Sequence, residues 1–183
     1  MKTNENIVAY VARLAGTLLI ICMVVALCLA AVNSVTAPAI EKLNYEKTQK
    51  AIEAVLPGGG DEVDFTDKTG LVSAVYKGGS GYAVQVAPGG FDGPITMMVG
   101  VDFEGNVLGI SVIKHTETAG LGAVAAASTT AGENFRAGFV GQSGSVSVTK
   151  DGGSVEAITG ATITSRAVCA GVNAALDCVG NMG

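Results

Sequence analysis

Three features of the sequence predict an α+β fold, built as a single N-terminal transmembrane helix followed by a mixed-sheet domain. An uncharged apolar run lies near the start, short β-like runs punctuated by glycine occupy the middle, and an amphipathic helix closes the chain. With 183 residues, 49% of them hydrophobic, there is room for one ordinary domain and an appendage. The expected organisation is a short N-terminal segment over 1–13, a transmembrane helix over 14–36, an amphipathic stem over 37–57 and the domain over 58–183.

The first element rests on length. Leu14 to Val32 is a run of 19 residues without a charge, and the uncharged stretch continues to Ile40. At about 1.5 Å per residue, 19 residues reach roughly 29 Å, close to the hydrocarbon thickness of a bilayer. A cleaved secretory signal would have a shorter apolar core. A lipoprotein box fails because bulky Ile21 and Leu27 precede Cys22 and Cys28, and a buried soluble helix would show a polar face. Lys2 and Arg13 precede the span and Lys42, Lys47 and Lys50 follow it, so charge alone does not orient it. The short start and long C-terminal part favour a single pass with the start inside and the domain outside.

After the span, Ile40, Leu43, Ile52 and Val55 fall at helical spacing, and Pro57 with Gly58 to Gly60 ends the stem. Strands are expected at Leu71 to Tyr76, Gly81 to Val86, Ile95 to Phe103 and Val107 to Lys114, with Glu104-Gly105-Asn106 as a hairpin turn between the last two. Gly120 to Thr130 reads as an Ala-rich helix and Gly144 to Val148 as a strand. Val168, Val172, Ala175, Leu176 and Val179 place the closing helix over Thr164 to Val179.

Composition excludes several functions. Eleven basic against 16 acidic residues leave a net charge of −5, and residues 41–183 carry nine bases and 15 acids, a net of −6. No basic surface is available to displace counterions from a nucleic acid. With one histidine, His115, and no CxxC or Cys/His spacing, no metal site is expected. Cys169 and Cys178, nine apart on one helix, face opposite ways and cannot bridge each other.

Two segments could carry chemistry. Gly120-Leu121-Gly122 followed by Ala125 matches a dinucleotide fingerprint in form, but no βαβ unit surrounds it, so glycines opening a helix or lying close to a ligand are the preferred reading. Ala157 to Arg166 crowds four hydroxyls, Thr159, Thr162, Thr164 and Ser165, before the closing helix and around Gly160-Ala161. One hydroxyl would suffice to cap a helix. The sharper reading is a phosphate-bearing cofactor at the helix start, where unpaired N–H groups and the macrodipole stabilise an anion.

Thr159-Gly160-Ala161-Thr162 resembles the [ST]-G-A-T flavinylation motif of the covalent-FMN subunits of two related membrane complexes. These are the G subunit of the Rnf complex and the C subunit of the sodium-translocating NADH:quinone oxidoreductase. His115-Thr116-Glu117-Thr118-Ala119-Gly120-Leu121-Gly122 is similar to the same family's H-x-E-T-P-G-L-G segment. Glu156 stands where the family motif opens with Asp, and Ala119 where it has Pro. The order of span, stem, strands and motifs agrees over nearly the whole chain, and the short length favours the G subunit.

The resemblance implies FMN bound covalently through a phosphoester to Thr162, attached by a separate flavin transferase. It implies cofactor contacts from Thr159, Gly160, Ala161, Thr164, Ser165, Glu117, Thr118, Leu121 and Gly122, and no catalytic or metal-ligating residue. It further implies an electron-relay component among other integral membrane and peripheral subunits, in a complex that couples ferredoxin:NAD oxidoreduction to Na⁺ or H⁺ movement. The chain then has no complete catalytic site of its own. It supplies no ion path, since one apolar helix without an ionisable residue offers no relay. Alternatives are the role of the C subunit in the quinone reductase, a membrane-anchored FMN-domain sensor, or a non-redox module holding a phosphate or other polar ligand.

Overall fold

A computed structural model of the chain describes residues 2–182. It divides into two compact units, residues 1–45 and residues 46–183. Helix α1 runs from Lys2 to Val55 without interruption at Pro38. Its apolar stretch is long and hydrophobic enough to cross a membrane, and the side chains there are exposed. The few hydroxyls are satisfied on the helix's own carbonyls, Ser34 on Ala31 at 2.8 Å and Thr36 on Val32 at 2.9 Å, as an apolar surrounding requires.

In the second unit, five strands form one sheet in the order β1-β2-β3-β4-β5: Asp61–Glu62, Val72–Lys77, Gly81–Val86, Thr96–Asp102 and Val107–Lys114. The α+β expectation holds, but every strand pair is antiparallel, so the sheet is a meander and not mixed. The physical reason is connection length: each link is too short for the crossover a parallel pair needs. The β4–β5 turn is the expected one. The Asp102 carboxylate accepts from the amides of Glu104 and Asn106 at 2.9 and 2.7 Å, and Gly105 takes a φ of +84°. The bond from the Asn106 side chain first, and these amide bonds after it, hold the Asp102 carboxyl below the usual range.

Both faces of the central strands are covered. Tyr82, Val84 and Val86 of β3 and Met97, Val99 and Val101 of β4 face the main core. The alternate residues Ala83 and Met98 face a second cluster with Ala51, Ile52 and Val55 of α1 and adjacent Leu56. This two-sided burial explains why Ile95 to Val101 reads as an almost unbroken apolar run. The main core is closed by α3, Thr162–Gly180, which presents Val168, Val172, Ala175, Leu176 and Val179, the stripe read from the sequence. Cys169 and Cys178 are buried free thiols, and burial first, with the Asp151 charge second, pushes Cys169 up to about 11.

Two expected elements differ. The Ala-rich helix is a 3-10 turn at Gly122–Ala126 followed by a separate α2 at Thr130–Ala137. The break occurs because Arg136 donates to the carbonyls of Ala125 and Ala127 at 2.8 and 3.0 Å, while Thr129 caps α2 by accepting from the Gly132 amide. The expected strand at Gly144–Val148 is a loop that keeps a single bridge, Val148 to Val155, because at Val146 the side chain of Asn173 of α3 takes the place of a neighbouring strand. That side chain accepts from the Val146 amide at 2.7 Å and donates to the Val146 carbonyl at 2.9 Å.

Candidate functional site

The site is organised by one carboxylate. Glu117 follows the end of β5 and is only 7% exposed. Its Oε1 accepts from the amides of Phe91 and Asp92 at 2.7 and 3.2 Å, and its Oε2 accepts from the Thr164 hydroxyl at 2.5 Å. Thr116 adds a bond to the Asp92 carbonyl at 2.6 Å. Three distant segments are thereby joined: the loop after β3, the segment after β5 and the first turn of α3. Burial pushes the Glu117 pKa up, but the bonds from Thr164, Asp92 and Phe91 and the nearby His115 outweigh it and leave the pKa lowered.

Glu117 also explains Gly122, the second glycine of its segment. A Cβ at Gly122 would meet the Glu117 carboxylate, and would lie 2.6 Å from the Thr164 hydroxyl. At Gly160 the backbone has φ +78°, and a Cβ there would lie 2.9 Å from the Leu121 side chain. The two glycine motifs thus pack against each other through Leu121 and Gly160, while Gly122 lies against the acid.

These segments surround a cavity of about 320 Å³, within the range of small-ligand sites. Of the residues singled out in the sequence, Glu117, Thr118, Leu121, Gly122, Gly160, Ala161, Thr162 and Thr164 line it. Thr159 lines a neighbouring cavity with Glu156. Ser165 is fully buried and engaged locally, donating to the Ala161 carbonyl and accepting from the Ile158 amide, both at 3.0 Å. Its hydroxyl shapes the turn before α3 and does not line the cavity.

Thr162 is the first residue of α3, and the N-cap before it is Ala161, whose side chain forms no cap. The hydroxyl cluster therefore does not serve as an ordinary cap, and the helix start lines the cavity with its first amides unclosed by a side chain. Lys150 donates to the Thr162 hydroxyl oxygen at 3.1 Å. On the rim stand three exposed apolar side chains, Phe91 at 68%, Ile163 at 52% and Leu121 at 44% exposure. Sequence reasoning alone does not find Lys150 or Phe91. Lys150 lies in a polar turn with no motif, and the one sign of Phe91 is an aromatic residue within a Gly-Gly-Phe-Asp-Gly loop. A larger cavity of about 770 Å³, between the β4–β5 turn and the later part of α3, gathers none of the motif residues.

A cavity that joins an uncapped helix start and a lysine to an apolar rim has room and chemistry for a ligand with an anionic group at one end and a flat, poorly hydrated body at the other. Fold and site together define a cofactor-binding domain, and residues 90–177 match the family described as the FMN-binding domain. Over all of its length the chain is 33% identical to the G subunit of the Na⁺-translocating ferredoxin:NAD⁺ oxidoreductase complex of Acetobacterium woodii, 99% of which is covered. It is 34% identical to the G subunit of the ion-translocating oxidoreductase complex of Methanosarcina acetivorans, over 89% of this chain and 91% of that one. It is 32% identical to the G subunit of the proton-translocating ferredoxin:NAD⁺ oxidoreductase complex of Clostridium ljungdahlii, over 87% and 86%. The chain belongs to this family, the G subunits of the Rnf-type ion-translocating oxidoreductase complexes.

Proposed function

We propose that the protein relays electrons within a membrane ion-translocating ferredoxin:NAD oxidoreductase through FMN held as a phosphoester on Thr162. The observation that carries this reading is the place of the Thr162 hydroxyl: at the start of α3, which no side chain caps, 3.1 Å from a lysine, on the wall of the cavity. The flavin, when bound, supplies the redox chemistry, and the chain supplies tether, access and polar surroundings. Thr162 holds the group in place and takes no part in turnover. Phe91, Leu121 and Ile163 offer apolar surface to the ring system, and the first amides of α3 face the phosphate.

Attachment requires a flavin transferase, and the complex supplies the other integral and peripheral subunits. Single-pass anchoring by α1, with the FMN domain on the extracytoplasmic side of the cell membrane, completes the proposal. The test is intact-mass measurement on chain made in a host that supplies a flavin transferase. The expected result is an increment of FMN less one water on the peptide containing Thr162, together with flavin fluorescence that survives denaturing electrophoresis. Thr162→Ala should abolish both signals. A bare mass for the unaltered chain under those conditions would sink the covalent reading.

A further inference from the structure

We propose that Lys150 is the cation that receives the phosphate at Thr162, and that the Asp151–Arg166 ion pair is the latch that positions it. The inference deepens the reading of Thr162 as the tether and rests on it. Among the described residues lining the cavity, Lys150 is the one cation, in a domain whose overall balance is acidic. Its ammonium already reaches the Thr162 oxygen at 3.1 Å. The one carboxylate in the cavity wall, Glu117, is engaged by Thr164 and by the amides of Phe91 and Asp92, so it does not compete for the ammonium.

The position of Lys150 is built into the fold. It lies in a 3-10 turn at Thr149–Asp151, closed by the Asp151 and Gly153 amides donating to the Val148 carbonyl at 2.9 and 3.1 Å. The next residue, Asp151, is gripped by Arg166 in a two-bond fork, Nε to Oδ2 at 2.7 Å and Nη2 to Oδ1 at 2.6 Å. Arg166 is four residues after Thr162, so both lie on one face of α3. The fork therefore ties the lysine's turn to the face of α3 that carries the tether. It also engages both carboxylate oxygens of Asp151, the nearest acid in sequence, with the guanidinium and not with the lysine. A phosphoester at Thr162 carries one negative charge, and a compact, rotatable ammonium pairs with it without demanding one fixed geometry.

The experiment uses the full-length chain in detergent, produced with a flavin transferase, and compares Lys150→Met, Lys150→Arg and Lys150→Glu with the unaltered protein by intact mass over a time course. Lys150→Met should slow attachment on the order of tenfold, the scale of one hydrogen bond to a charged group. Lys150→Arg should retain most of the rate, and Lys150→Glu should show the largest loss. Melting temperatures separate this role from a structural one. Loaded Lys150→Met should melt roughly 2–4 °C below the loaded parent, with a gap that shrinks in high salt. In the unloaded Thr162→Ala background, adding Lys150→Met should change nothing. Equal attachment rates for Met and Lys at position 150, or the same melting loss in loaded and unloaded chains, would overturn the proposal. A parent chain that gains no mass overturns the tether itself and is distinguished by that bare mass.

Discussion

Glu117 shows how one side chain can matter more for what it joins than for what it offers a ligand. From the sequence it reads as a contact to the cofactor; in the structure both of its oxygens are engaged by protein donors. Its lowered pKa fixes the sign of a pH effect. The unfolded chain binds the proton more tightly, so the carboxylate's contribution is complete above the unfolded value, roughly pH 4.3. It is lost as pH falls through the lower folded value. Glu117→Gln should therefore cost about 1.5–3 kcal/mol near neutral pH, from hydrogen bonds to a charged acceptor. The gap between variant and parent should close as the solution is acidified. Denaturant melts collected from pH 7 to pH 3 test this, and a gap that stays constant down to pH 3 would refute it. Thr162 and Thr164 are two residues apart, yet one hydroxyl faces Lys150 and the other Glu117. A crowd of hydroxyls is visible in the sequence. Their division of labour is not, because each partner comes from another segment.

Among the elements, the end of α1 has a role that periodicity alone does not resolve. Ile40, Leu43, Ile52 and Val55 share a helical spacing, but only Ile52 and Val55 are buried, while Ile40 and Leu43 are exposed. The difference is made by β4. Its Gly100 lets α1 approach so closely that an added Cβ would lie 2.5 Å from the Val55 carbonyl oxygen and 2.9 Å from the Val55 Cβ. Gly100→Val should force the two apart at a cost of about 1–3 kcal/mol, the usual range for overpacking. Hydrogen exchange at the Leu56 amide, which bonds the Ile52 carbonyl at 2.7 Å, should accelerate. FMN attachment should persist, because no residue lining the cavity belongs to β4. Unchanged exchange at Leu56 would count against this packing. The strands β2 to β5 and α3 are legible to within a residue or two because alternation and helical spacing are local signals. The Gly144–Val148 segment has the alternation of a strand without being one, because Asn173, far along the chain, supplies the bonds that a strand would have made.

At the scale of the whole molecule, the compact unit begins at Glu46, before the residues that cover the outer face of the sheet. A fragment of residues 46–183 should fold and take up flavin, whereas one of residues 58–183 loses Ala51, Ile52, Val55 and Leu56. Burying an aliphatic side chain of this size contributes about 1.5–3 kcal/mol, so the shorter fragment forfeits a large share of a typical domain's stability. Chemical denaturation of the two fragments checks this, and equal midpoints would contradict it. The sequence by itself determined the features written in neighbouring residues: the apolar span, strands β2 to β5, the closing helix, and the two motifs with Thr162 at the second. Tertiary structure decided the antiparallel order, the seating of the α1 end against Gly100, and the company Thr162 keeps. Those depend on contacts across long separations, such as Glu117 with Thr164 and Phe91 with Glu117, 47 and 26 residues apart. No local pattern encodes which side chains meet at that distance, since the pairing is set by how whole elements pack.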